Sequence, residues 1–243
     1  MSFAAIHRPG DPLILFNIWD AGSARAIADA GAVALATGSA SVAGAMGFAD
    51  GQELPFDLLV DLAARIASAS DLPLSVDFEA GYADNPADVA ENAARLEETG
   101  VAGINLEDGI PPENGVRSIE EQARLIEAID QRTSLFINAR TDLFLQNSSE
   151  RHASLVADAL ERAAAFNEAG ADGFFVPGLV DLELIREICG SSPLPVNVMK
   201  SPSSPRIADL ADAGVARISF GPFPWRDSMT ALARAFQEQT ARS

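Results

Sequence analysis

Glu98-Thr99-Gly100-Val101-Ala102-Gly103-Ile104-Asn105-Leu106-Glu107-Asp108 is the stretch that decides the fold. Its first part ends a helical period on a glycine, the residue that stops a helix in the left-handed conformation. Its second part is an apolar run of strand length that finishes on two acids. The opening phrase returns as Asp29-Ala30-Gly31-Ala32, Glu168-Ala169-Gly170-Ala171 and Asp212-Ala213-Gly214-Val215, and each copy hands the chain to another apolar run. Working outward, the strand candidates are Leu13 to Trp19, Val33 to Thr37, Leu74 to Glu79, Gly103 to Asp108, Leu135 to Thr141, Gly173 to Pro177, Pro195 to Met199 and Ala216 to Gly221. Amphipathic segments separate them: Ser23 to Ala30, Phe56 to Ser68, Pro86 to Thr99, Ser118 to Ile129, Arg151 to Ala169, Leu182 to Ile188 and Arg206 to Ala213, with a last one from Arg226 to Ala241. Ser23, Asn85-Pro86 and the pair Ser118 and Glu121 supply helix-start chemistry. Strand-then-helix units repeated through 243 residues predict a parallel (β/α)8 TIM barrel, a single domain over residues 1–243. The doubly wound open sheet is the alternative, and the missing GxGxxG after the first strand argues against it.

Composition narrows the function. With 35 acidic and 17 basic residues the formal charge is −18, and Lys200 is the only lysine. No clustered basic face exists to neutralise phosphates, which excludes a nucleic-acid partner and general attraction to anionic membranes. A small anionic substrate is compatible if a cation or a few placed arginines offset its charge. Cys189 alone cannot form an internal disulfide, and the opening MSFAAIHRPGDP has no basic segment followed by an apolar stretch, so a cytoplasmic protein is expected. Apolar runs fall far short of the roughly 20 residues that span a bilayer.

Active sites of such barrels lie at the C-terminal ends of the strands, so polar residues there are the candidates. Asp77 and Glu79, two apart at the end of the third strand, are expected to share a face, with Glu107 on the neighbouring strand. Three carboxylates brought together repel and need a proton, an arginine or a cation, and an oxygen-only set suits Mg2+ or Mn2+. Singly, each carboxylate could equally cap a loop or pair with Arg140. Zinc is disfavoured, since His7, His152 and Cys189 lie away from these strand ends. Arg140 follows the apolar run Leu135-Phe136-Ile137, and its planar fork suits a substrate carboxylate, a salt bridge to Asp77 or Glu107, or both. Thr37-Gly38-Ser39 offers hydroxyls and close backbone approach. Ser41 to Gly51 reads as a small, glycine-rich loop, either a flexible lid, an oxyanion-hole backbone or an ordinary connection, and not a P-loop. Trp19, Trp225, Phe174 and Phe175 read as packing residues, and Met46 and Met199 as filler.

Taken together, Asn17-Ile18-Trp19-Asp20-Ala21-Gly22-Ser23-Ala24-Arg25, Thr37-Gly38-Ser39, Gly47-Phe48-Ala49-Asp50, Val76-Asp77-Phe78-Glu79-Ala80-Gly81-Tyr82, Asn105-Leu106-Glu107-Asp108 and Ala139-Arg140-Thr141-Asp142 resemble the isocitrate lyase and phosphoenolpyruvate mutase superfamily, in order from about residue 11 to 228. The resemblance implies a (β/α)8 barrel, a Mg2+-dependent site for 2-oxo acids or their enolates, and a homo-oligomer, often with a C-terminal helix exchanged between subunits. It implies that Asp77 is the direct metal ligand, with Glu79 and Glu107 acting mainly through water. Glu79 stands where many relatives have Asp. Thr37, Gly38 and Ser39 would bind the substrate's carboxylate and oxygen, Arg140, Asn197 and Arg226 its anionic groups, and Asp50 matches an acid on a gating loop.

The departures carry as much weight. The segment Gly109-Ile110-Pro111-Pro112-Glu113-Asn114-Gly115-Val116-Arg117 lacks the Cys and Lys that supply the general acid in lyases of the group. Glu113 stands where the phosphonomutase Lys would fall, and Val176-Pro177-Gly178 replaces a His. Isocitrate-type cleavage and phosphonopyruvate formation are therefore disfavoured. Decarboxylation of an acid such as oxaloacetate needs only an electron sink at the 2-oxo oxygen. Hydrolytic or aldol-type cleavage needs a base, for which Asp50, Glu113 and a metal-bound water are candidates. The expected activity is a Mg2+-dependent lyase of small 2-oxo (di)carboxylates acting through an enolate. The alternatives are a C–C or P–C hydrolase and a barrel that binds a metabolite without converting it.

Overall fold

The structure is a computed structural model and describes residues 2–110 and 115–241. Eight strands, β1 (Leu13–Leu15), β2 (Leu35–Ala36), β3 (Leu74–Asp77), β4 (Gly103–Glu107), β5 (Phe136–Arg140), β6 (Gly173–Phe175), β7 (Val196–Met199) and β8 (Arg217–Ser219), pair in the order β1-β8-β7-β6-β5-β4-β3-β2. All of these ladders are parallel. Between β1 and β2 no ladder forms. The ring is closed there by one parallel bridge, Ile18 with Thr37, helped by the Asn17 amide donating to the Thr37 carbonyl at 2.6 Å. The expected TIM barrel is therefore present.

Each strand leads into one or more helices on the outside of the ring: α1 (Ala21–Asp29), α2 (Ser39–Met46), α3 (Phe56–Ala67), α4 (Pro86–Glu97), α5 (Ile119–Arg132), α6 (His152–Glu168), α7 (Leu182–Ser191), α8 (Ile207–Asp212) and α9 (Phe223–Thr240). Local chemistry sets their ends. Ser118 and Glu121 form a reciprocal capping box, and Asn85 accepts the Asp88 N–H with Pro86 in the first turn. Helix α1 starts two residues earlier than the apolar period suggests, because Asp20 is the cap and Ser23 answers it from the third helical position. Gly31, Gly100, Gly170 and Gly214 all have positive φ, so the repeated phrase is a helix stop.

Two expectations change. Ser41 to Gly51 is not wholly a loop: its first half belongs to α2, which the glycine content hides and which Gly47 ends at φ 83°. Strand β3 stops at Asp77, and Glu79 lies beyond it at φ 50°, so the period-2 argument does not reach Glu79. Apolar side chains such as Val76, Ile104, Ile137, Phe166 and Phe174 are buried in the main core. A smaller cluster of Phe3, Leu13, Leu15 and Phe136 lies where the strands begin.

Candidate active site

At the C-terminal ends of the strands the cavity has two lobes. One, about 240 Å3, is lined by Glu79, Glu107, Gly109, Asp142 and Gln146; the other, about 210 Å3, by Asn17, Asp77, Phe175, Met199 and Arg226 among others. Ser39, Asp50 and Arg140 line both. A larger cavity of about 800 Å3 lies at the opposite end of β1, beside Phe3, Leu13, Val33 and Pro73, away from every candidate carboxylate. We place the site by chemistry, at the strand ends.

Asp77 ends β3 and is buried. Its Oδ2 accepts the Ser39 N–H at 2.9 Å, while Oδ1 has no hydrogen-bond partner. Its backbone N–H donates to Thr37 Oγ1 at 2.8 Å, which ties β3 to the end of β2. Burial raises the Asp77 pKa, against the pull of Arg140. A buried carboxylate with one orphaned oxygen calls for a proton or a cation.

Both carboxylate oxygens of Glu79 are already engaged. One carboxylate oxygen takes the N–H groups of Gly51 (3.0 Å) and Gln52 (2.7 Å), and the other accepts the Tyr82 hydroxyl. Gln52 in turn accepts the Tyr82 N–H at 2.6 Å. Glu79, Gln52 and Tyr82 all have positive φ, a concentration of backbone strain beside Asp50. Burial pushes the Glu79 pKa up to about 7.

Glu107 ends β4, and its Oε2 pairs with Arg140 Nη1 at 2.8 Å; burial raises its pKa despite that arginine. Arg140 also grips Asp142 in a fork, Nε at 2.6 Å and Nη2 at 3.1 Å. Three of the guanidinium's five N–H groups are thus engaged, leaving two for a ligand. Burial opposes the Arg140 charge, but Glu107 and Asp142 outweigh it and hold the pKa above its usual value. Behind them Asp108 faces the structure rather than the cavity: it accepts the Asp142 N–H at 2.8 Å and pairs with Arg162 at 3.0 Å. Its pKa is raised by burial to about 6.

Among the described residues no three His, Cys, Asp or Glu side chains close around one point as a ligand set. The three acids sit at one end of the barrel, but Glu79 and Glu107 already have partners. Asp77 Oδ1 is the free donor. That pattern fits an ion such as Mg2+, which takes one or two carboxylates and fills its remaining positions with water and substrate oxygens.

The other candidates divide. Gly38 and Ser39 line the second lobe with Ala40 at the N-terminus of α2, where the Ser39 N–H is committed to Asp77 and the Ser41 N–H to the Gly38 carbonyl, leaving the Ala40 N–H to meet an anion. Thr37 is buried below, committed to Asp77 and Asn17. Asn197 does not line the cavity and bonds Ser219 Oγ at 3.2 Å. Arg226 is exposed at the rim, stacked over Phe223. Glu113 lies outside the described residues. Phe175 and Met199, expected as packing and filler, line the cavity, as does Asp142, quoted in the motif but given no role although it lies two after Arg140; Leu145 and Gln146 carried no signal in the sequence.

Comparison with known proteins agrees with this architecture. A crystal structure from Burkholderia cenocepacia J2315, provisionally assigned as a phosphonomutase, superposes with a TM-score of 0.95 at 48% identity, covering 98% of this chain and 96% of that one. Phosphonopyruvate hydrolase, solved with oxalate and Mg2+, shares the fold at a TM-score of 0.86 and 20% identity, over 100% of this chain and 88% of the other. The oxaloacetate decarboxylase of Pseudomonas fluorescens SBW25 is 28% identical over 84% of this chain and 72% of its own. Named curated relatives of this chain include 2-methylisocitrate lyases as well as oxaloacetate decarboxylases. The family model for phosphoenolpyruvate phosphomutase matches residues 3–240, so the chain belongs to that family, within the phosphoenolpyruvate mutase/isocitrate lyase superfamily.

Proposed function

We propose that the protein is a divalent-metal-dependent lyase of a small 2-oxo (di)carboxylate, acting through an enolate, with Mg2+ or Mn2+ as cofactor and the cytoplasm as its compartment. The observation that carries this reading is Asp77: a buried carboxylate with one oxygen fixed by Ser39 and the other unpartnered, in a cavity shared with Arg140. A cation at Asp77 would supply the positive charge that stabilises negative charge developing on the 2-oxo oxygen. The free N–H groups of Arg140 and the Ala40 N–H at the start of α2 orient the substrate carboxylate. Glu107 and Asp142 keep the guanidinium in place. Asp50 lines both lobes, which positions it to close over the ligand or to accept a proton. Decarboxylation needs no protein acid at the departing group, which suits a chain without the lyase Cys. The oxaloacetate decarboxylase among the relatives supports the same choice.

The test uses chelator-stripped protein with and without Mg2+ or Mn2+, offered oxaloacetate and related acids. Metal-dependent formation of pyruvate and carbon dioxide is expected, and Asp77→Asn should abolish metal uptake by calorimetry and lower turnover at least ~100-fold. Oxalate and acetate as products would identify a hydrolase, with Asp50 as the base. No metal uptake and no turnover would leave a binding barrel and refute the lyase.

A second copy of the chain is the proposed partner. Among the described residues α9 makes no extended interface with another element of its own chain, and its Leu232 and Phe236 are 66% and 68% exposed. The groove beside β1 and α1, with exposed Ile14, Phe16 and Val33, is the complementary apolar surface.

A further inference from the structure

The second lobe is built in two halves. Ser39, Asp50, Asp77 and Arg140 form a polar side; Leu145, Phe175, Pro177 and Met199 form an apolar one. Most of the polar atoms nearest the apolar side are already committed. Asn17 donates to Thr37 and accepts from the N–H groups of Phe220 (2.7 Å) and Gly221 (2.9 Å). Asn105 Oδ1 accepts from Asn138 and Arg217, and Ser219 is paired with Asn197. The Lys200 ammonium lies on the carbonyls of Ser201 and Ser204 and does not line the lobe. Two lining side chains keep a donor for a ligand, the Asn105 amide on β4, whose Nδ2 makes no hydrogen bond, and Arg226 at the solvent rim.

The apolar half is held in place by close backbone contacts. A Cβ on Gly178 would come within 3.0 Å of the Leu145 nitrogen, and one on Gly221 within 2.6 Å of Met199 Sδ; both glycines have positive φ. Leu145 is 44% exposed although its neighbours Leu143 and Phe144 are buried, so its side chain spends apolar surface on the cavity mouth. A phosphonate or carboxylate pressed on this wall would lose its water with no compensating donor from these four side chains. An alkyl group there gains from the same desolvation.

We propose that Leu145, Phe175, Pro177 and Met199 form an alkyl subsite, so that the protein favours 2-oxo acids whose carbon 3 carries an alkyl substituent over those without one, with any second carboxylate reaching outward to Arg226. This deepens the lyase reading and rests on it. The test is calorimetric titration of the intact protein, with Mg2+ in excess, using pyruvate, 2-oxobutanoate and 3-methyl-2-oxobutanoate as uncleaved probes. Affinity should rise about fourfold from pyruvate to 2-oxobutanoate and about tenfold to the branched acid. Leu145→Asn, at an exposed position, should bring the ratio between branched acid and pyruvate toward one. Equal affinities across the wild-type series, or an unchanged ratio in the variant, would overturn the subsite while leaving the lyase reading standing. Failure of all three acids to bind would overturn both.

Discussion

His7 stacks on Phe136 with ring centroids 4.2 Å apart and meets Phe3 edge-on, inside the cluster where the strands begin. Its Nδ1 lies 2.9 Å from the Phe3 carbonyl, and its Nε2 is buried without a partner. Burial and then the nearby Arg217 push its pKa down to about 4. The unfolded chain therefore binds the proton more readily than the folded one, so this residue's contribution is complete above pH 6.5 and is lost as the pH falls toward 4. In urea titrations across that window the wild type should lose about 3 kcal/mol relative to His7→Phe; parallel stability curves would refute it. At this scale the sequence was informative about which residues matter and silent about what they touch. Asp77 and Arg140 stand out because charged groups at the end of an apolar run have few structural uses. That Glu79 turns to Gly51, Gln52 and Tyr82 could not be read, because its positive φ depends on contacts about 30 positions apart in the chain.

Among the elements, the strand-and-helix alternation was legible because its glycine stops recur in sequence. Helix α2 was not, since a run of Ser, Ala, Val and Gly lacks the amphipathic period that marks a helix packed on one face. A Cβ on its Gly44 would meet the Trp225 ring at 2.7 Å, so that glycine is needed for packing rather than for a loop. The four glycine stops are not equivalent. A Cβ on Gly31 would meet nothing within 4 Å, whereas one on Gly170 would sit 2.5 Å from Asp130 Cγ. Gly31→Ala should cost about 1 kcal/mol, the strain of the left-handed turn alone. Gly170→Ala adds a clash and should cost about 3 kcal/mol. Chemical denaturation compares them directly, and equal losses would show that the Asp130 side chain simply moves aside.

For the whole molecule, the charge of −18 tells of partners to avoid and nothing of the fold. The fold was readable from unit count; the assembly was not, because an exposed apolar helix face looks in sequence like any amphipathic helix. Light scattering should find a species larger than one chain, and Leu232→Glu combined with Phe236→Glu should reduce it to smaller particles. A wild type that runs as a single chain would remove α9 as an assembly surface.

The ring's incomplete closure has a mechanical consequence. A wall stitched along seven of its joins and merely pinned at the eighth will yield first at the pin, and the pin is Thr37, whose hydroxyl also holds the backbone of Asp77. A ligand clasping Ser39 and Asp77 from above would therefore fasten the weakest join of the cylinder, and its arrival should slow deuterium uptake at Ile18 and Thr37 more than at any strand on the far side.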